Sequence, residues 1–158
     1  MIVNYSDEEV LEREKSIFLA GPTPRDSNTQ SWRNDALEKL KVLDFDGVIY
    51  VPEFSTGAIR ANFDDQALWE RKALTVATVI LFWVPRSLSD MPGFTTNVEF
   101  GYWLHTKKVL YGRPDNAAKI KYIDWLYKTD YGLDPINNLD ELLQKAVAMV
   151  EYIFRHGT

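Results

Sequence analysis

The sequence predicts a doubly wound α/β domain, a mostly parallel sheet of about five strands flanked by helices. Three observations carry this reading. Short β-rich apolar runs alternate with segments whose apolar residues recur at helical spacing. One run, Thr78-Val79-Ile80-Leu81-Phe82-Trp83-Val84, lacks the alternation of a half-exposed strand and matches a parallel strand buried on both faces. The 158 residues, 46% hydrophobic and 13% aromatic, suffice for one core without covalent staples, and with no cysteine none can form.

In chain order, the first strand spans 15–20 and stops at Gly21-Pro22-Thr23-Pro24, where two prolines remove backbone donors. Ser31 caps a helix running to residue 43, with Trp32, Ala36, Leu37 and Leu40 on its apolar face. A second strand, 47–51, ends at Pro52. Helical spacing returns over 64–77 and leads into the central strand, 78–84. Residues 85–96 form a loop broken by Pro85, Pro92 and Gly93, before a helix over 97–106 and a strand over 108–111. No clear period marks 112–135. Asn138 and Glu141 then make a capping box for a closing helix over 139–154. No repeat or linker interrupts the chain, so 1–158 reads as one domain. Residues 1–14, with five acidic side chains against Arg13 alone, read as an acidic extension.

The net charge of −5 and a pI of about 5.0 argue against a nucleic-acid polymer as partner, because phosphate binding rests on clustered Lys and Arg. Residues 1–14 hold neither a basic n-region nor an apolar h-region, which predicts a cytoplasmic protein with no membrane partner. Without cysteine, and with only His105 and His156, no metal or other cofactor is expected. Catalysis then falls to carboxylates, hydroxyls, amides and arginines, acting on a small molecule.

Doubly wound folds bind ligands beyond the carboxyl ends of their strands, here the loops at 21–25, 85–99 and 112–116. On a helical wheel Glu70 shares the core-facing stripe with Gln66, Ala67, Ala73, Leu74 and Ala77, while Arg71 and Lys72 point away. A carboxylate there either pairs with an arginine at the border of the stripe or carries a raised pKa. Thr96-Asn97-Val98-Glu99 fits a capping box in which Glu99 only satisfies a helix-start amide. Its place after the central strand, just before Gly101 with its room for close approach, argues for a site. Arg25, Arg86 and Arg113 lie one in each loop, an arrangement suited to an anionic ligand. Trp32, Trp69, Phe94 and Trp103 offer either core packing or a stacking face for a nucleobase. No GxxxxGK[ST], GxGxxG or GxSxG motif is present.

The runs KSIFLAGPTPR, SWRNDAL, VPE, ALWERKAL, ILFWVP and TTNVEFGYW together resemble the nucleoside 2-deoxyribosyltransferase family, over about residues 15–122. The resemblance implies a flavodoxin-like domain, Glu99 as the nucleophile that attacks the anomeric carbon, and Glu70 as the acid that contacts the base. Gly21, Pro22 and Arg25 of the first loop, at the carboxyl end of the first strand, are expected to bind the substrate. Family members carry a hydroxyl or carboxylate six residues before the nucleophile, which contacts the 5′ end of the sugar; here Gly93 stands at that position. Asp90, Thr95, Thr96 and Asn97 are the replacements at hand, with Arg86 as a phosphate ligand. Gly112-Arg113-Pro114-Asp115-Asn116 is similar to a segment whose asparagine completes a neighbouring subunit's site, which assigns Asn116 and implies a homo-oligomer.

The expected activity is cleavage of the N-glycosidic bond of a nucleoside and transfer of the sugar from a Glu99 adduct to another nucleobase. Two alternatives stand beside it, a hydrolase releasing the base from a nucleoside monophosphate, and a nucleotide-binding module without activity.

Overall fold

The computed structural model describes residues 1–26, 28–56 and 62–157. The strands are β1 (Ile2–Tyr5), β2 (Ser16–Ala20), β3 (Val48–Val51), β4 (Val79–Trp83) and β5 (Val109–Gly112). The helices among the described residues are α1 (Trp32–Val42), α2 (Phe63–Val76), α3 (Phe94–Trp103), α4 (Lys121–Tyr131) and α5 (Leu139–His156). All strand pairs are parallel, in the order β1-β3-β2-β4-β5. Setting β1 aside, the winding is flavodoxin-like, and the strand order reverses between β2 and β4.

The buried strands explain their own composition. Ile17 and Leu19 of β2, with Val79, Leu81 and Trp83 of β4, pack under α1 and α5 through Ala36, Leu40, Leu142 and Ala146. Phe18 and Ala20, with Ile80 and Phe82, face the other layer, Trp69 and Leu74 of α2, Phe100 of α3 and Tyr127 of α4. Both faces of β4 are thus covered, which is why its run is apolar without alternation. No helix among the described residues is long and apolar enough to cross a membrane.

Three elements differ from the sequence expectation. The acidic N-terminal stretch contains edge strand β1, paired with β3 from Ile2↔Val48 to Tyr5↔Val51. Its signal is short and mixed, but buried Asn4 secures it, accepting from the Leu11 N–H and donating to the Glu9 carbonyl. Helix α4 lies in the unreadable tract because only Ile123 and Tyr127 of it are buried, while Tyr122 and Trp125 stack on each other in solvent. Helix α3 begins three residues earlier than expected, at Phe94, with Gly93 as N-cap at φ 53°. The Thr96–Glu99 capping box therefore does not form, since both residues lie inside the helix. Gly101 is exposed with open space where a Cβ would stand, so no group approaches it closely.

Gly21 ends β2 at φ 142°, and a Cβ there would lie 2.1 Å from the carbonyl oxygen of Trp83 at the end of β4. The first loop can cross this close to the sheet only as glycine. We expect Gly21→Ala to lower stability by about 3 kcal/mol, combining steric overlap and backbone strain, as measured by chemical denaturation.

Candidate active site

Arg33 organises the carboxyl end of the sheet. It sits on the buried stripe of α1, four residues before Leu37 and seven before Leu40, and is 1% exposed. Its Nε donates to the Leu19 carbonyl at 2.9 Å, and Nη2 donates to the Gly21 carbonyl at 2.8 Å. Its Nη1 donates to Thr23 Oγ1 at 3.2 Å and to Glu53 Oε1 at 2.5 Å. Ser31, the N-cap of α1, also donates to Glu53 Oε1, at 2.8 Å. The loops after β2 and β3 are thereby tied to the start of one helix.

Above this floor lies a cleft of 320 Å³, walled by Gly21, Pro22, Thr23 and Arg25 on one side and by Pro92 to Thr96 on the other. It opens at the point where the strand order reverses. Glu70 of α2 and Glu99 of α3 both line it, and the Glu70 carboxylate acts on Glu99. A polar hollow of 1130 Å³ adjoins on the β3 side and an apolar groove of 780 Å³ runs between α2 and α3; Glu70 lines all three spaces. Two carboxyls held together can carry one proton between them more readily than two charges.

Burial is the largest cause, and the neighbouring Glu70 the next, of a Glu99 pKa raised from 4.5 to about 8; the Arg33 charge opposes both. Glu70 accepts a 2.7 Å bond from Gln66 Nε2, which also donates to the Pro52 carbonyl at 3.2 Å. The expected arginine partner of Glu70 is not what the structure shows; its hydrogen bond is with Gln66.

The structure gathers Gly21, Pro22, Arg25, Thr95 and Thr96 around the carboxylates. Four other candidates lie elsewhere. Arg86, 5% exposed, is buried behind the α3 N-terminus, donating to the carbonyls of Gly93 and Lys119 and to Asn97 Oδ1 at 3.1, 3.2 and 2.5 Å. Asn97 is turned to it and away from the cleft lining. Arg113 pairs with Asp124 at 2.9 Å, so the three loop arginines do not converge. Asn116, exposed after edge strand β5, lies outside the cleft lining of its own chain.

Trp32 and Trp69 are core residues whose indole N–H groups donate to the Pro22 and Glu8 carbonyls. Phe94, 71% exposed at the cleft, and Trp103, on the α2–α3 groove, remain as stacking surfaces. Among the described residues no three His, Asp or Glu side chains gather as metal ligands.

Arg33 and Glu53 are the organising residues that motif reasoning passed over. The available signal was an arginine on an otherwise apolar helical stripe, a position that demands a buried partner. Arg33→Leu removes the donor to the Leu19 and Gly21 carbonyls and the cation beside Glu53, so we expect a loss of about 3–5 kcal/mol by denaturant titration. Arg33→Lys does not restore it, because one ammonium cannot reproduce the planar fork.

The comparison with known families agrees with this geometry. A family model described as nucleoside 2-deoxyribosyltransferase like matches residues 14–117, from just before β2 to just beyond β5. No curated protein matches the chain. The matched stretch covers most of the sequence and includes Arg33, Glu53, Glu70, Gly93 and Glu99, and the chain belongs to the nucleoside 2-deoxyribosyltransferase-like family.

Proposed function

We propose that the chain cleaves the N-glycosidic bond of a nucleoside-type substrate through a covalent Glu99 glycosyl-enzyme and passes the pentose to a second nucleobase. The observation that carries this reading is the meeting of two carboxyls, Glu70 and Glu99, in the lining of one cleft, with the Glu99 pKa raised by burial and by Glu70. Breaking an N-glycosidic bond requires a proton for the leaving base and negative charge beside an oxocarbenium-like carbon. A pair holding one proton supplies both.

In the proposed reaction the shared proton moves through Glu70 to the base nitrogen as the bond to the anomeric carbon breaks. Glu99, left ionised and favoured in that form by the Arg33 charge, closes onto the carbon as an ester. The departing base leaves neutral. An acceptor base then attacks the same carbon, its proton returns to Glu70, and the Glu99 carboxylate is released. Asn116 lies outside the lining of its own cleft; in this reading it serves a neighbouring copy.

The test is chromatography of products from a panel of deoxynucleosides and deoxynucleotides, each with and without a second free base. A new nucleoside that appears only with acceptor present supports transfer. Free base and free sugar without acceptor would replace transfer by hydrolysis.

Glu99→Gln should reduce turnover to background, and Glu70→Gln should lower kcat by roughly 10²- to 10⁴-fold. Activity should fall as pH rises through about 8, where Glu99 loses its proton. Stability follows the same proton. Glu99 titrates near 4.5 when unfolded and near 8 when folded, so its stabilising proton is fully held below about 4.5 and is lost as pH rises through about 8. Glu99→Gln should flatten this decline and melt above the wild type at pH values beyond about 8, as read by thermal denaturation across pH.

A further inference from the structure

We propose that Gln66 is a positioning residue for the acid of the reaction: it fixes the Glu70 carboxyl so that one oxygen only accepts and the other alone handles the proton of the leaving base. This rests on the N-glycosidic reading above and adds to it a residue outside the cleft lining. Gln66 lines the polar hollow and the apolar groove, but not the 320 Å³ cleft between them.

Gln66 and Glu70 stand one turn apart on α2, the spacing at which side chains of a helix meet. The bond from Gln66 Nε2 to Glu70 Oε1, at 2.7 Å, is shorter than its bond to the Pro52 carbonyl, at 3.2 Å. Both partners are acceptors, so both amide hydrogens are committed and a turned-over amide would set oxygen against oxygen. The Pro52 carbonyl is itself held in place. It follows β3 directly, and the next residue, Glu53, accepts from Arg33 and Ser31. Gln66 therefore ties the α2 carboxyl to the loop that the Arg33 fork fixes.

The consequence is chemical. A carboxyl oxygen that accepts a short amide bond is the carbonyl-like oxygen of the group, so a proton on Glu70 stands on Oε2. In the cleavage step the Oε2–H bond breaks as the base N–H bond forms, and the electron pair of the N-glycosidic bond leaves with the base. Gln66 keeps both its hydrogens, and the Glu70 carboxyl does not have to rotate.

A neutral donor suits this task where a cation does not. An ammonium or guanidinium bonded to Oε1 would favour the carboxylate and leave Glu70 no proton to give. The two cations next along α2 are directed elsewhere, Arg71 to the Tyr102 hydroxyl at 3.4 Å and Lys72 to Glu12 at 3.7 Å.

The experiment measures kcat and KM on the deoxynucleoside or deoxynucleotide of the panel above that reacts fastest. The variants are Gln66→Met, Gln66→Asn, Glu70→Gln and the double variant Gln66→Met with Glu70→Gln. Methionine keeps the length of the side chain without a donor. Asparagine keeps the amide but falls one methylene short of Glu70, and at this half-buried position it carries the test if Gln66→Met fails to fold. We expect each single Gln66 variant to lose kcat by roughly 10- to 100-fold, with KM within about threefold of wild type. In the Glu70→Gln background, Gln66→Met should cost less than about threefold further, because the group it positions is gone. A second arm needs no turnover: calorimetry of the same substrate on Glu99→Gln, with and without Gln66→Met, should give matching affinities. An equal kcat loss in both backgrounds, a weakening of binding that matches the kcat loss, or no loss at all overturns the positioning role and leaves the glycosidic reading intact. Panel compounds bound by Glu99→Gln while the wild type turns over none of them overturn the glycosidic reading, and the positioning role with it.

Discussion

The Arg33 fork is the constraint on which the rest of the site depends. Past the last ladder bond of a parallel sheet, strand carbonyls have no neighbouring strand N–H left to accept from. Arg33 collects those of Leu19 and Gly21 and adds the Glu53 carboxylate from the neighbouring strand end. One planar cation thus sets the spacing of two loops. Such a buried ion pair is not a large net source of stability, because both charges lose water, but its geometry leaves few alternatives. The loop it holds runs against the Trp83 carbonyl at a distance that only glycine tolerates at position 21.

The same cation acts across the cleft. Glu70 and Glu99 come from different helices, and packing Trp69 and Leu74 of α2 and Phe100 of α3 into one core brings their carboxyls together. Hydrophobic burial supplies the free energy that overcomes the repulsion. Burial first, and the Glu70 charge next, show as a raised Glu99 pKa, moderated by the Arg33 charge. A buried carboxyl kept beside a second one costs stability once it ionises, a pattern common at functional sites.

Helix α3 carries both signs of charge along one face of the cleft. Its uncapped start, backed by Arg86, is positive, and under two turns later Glu99 presents a carboxyl. Moving the start of the helix to Phe94 changes the meaning of Thr96 and Glu99. What looked like a capping pair becomes a cleft hydroxyl and a candidate nucleophile. Gly93, a departure from the family pattern at the level of sequence, has a steric reason in the fold, since Pro22 occupies the space a side chain would need.

The strand–helix alternation, the central strand and the core-facing position of Glu70 were determined by the sequence alone, because periodic burial leaves a local record in residue spacing. Glu99 stands out in the sequence through its motif, and its ambiguity there comes from a capping pattern that the same four residues satisfy equally well. Strand β1, the start of α3, the enclosure of Arg86 and the role of Arg33 were decided only by the tertiary structure. Each depends on partners distant in the chain: β1 on β3, Gly93 on Pro22, Arg86 on Lys119 and Arg33 on Glu53. Local spacing records which face of an element is buried, but it holds no information about which distant carbonyl or carboxylate will be waiting there.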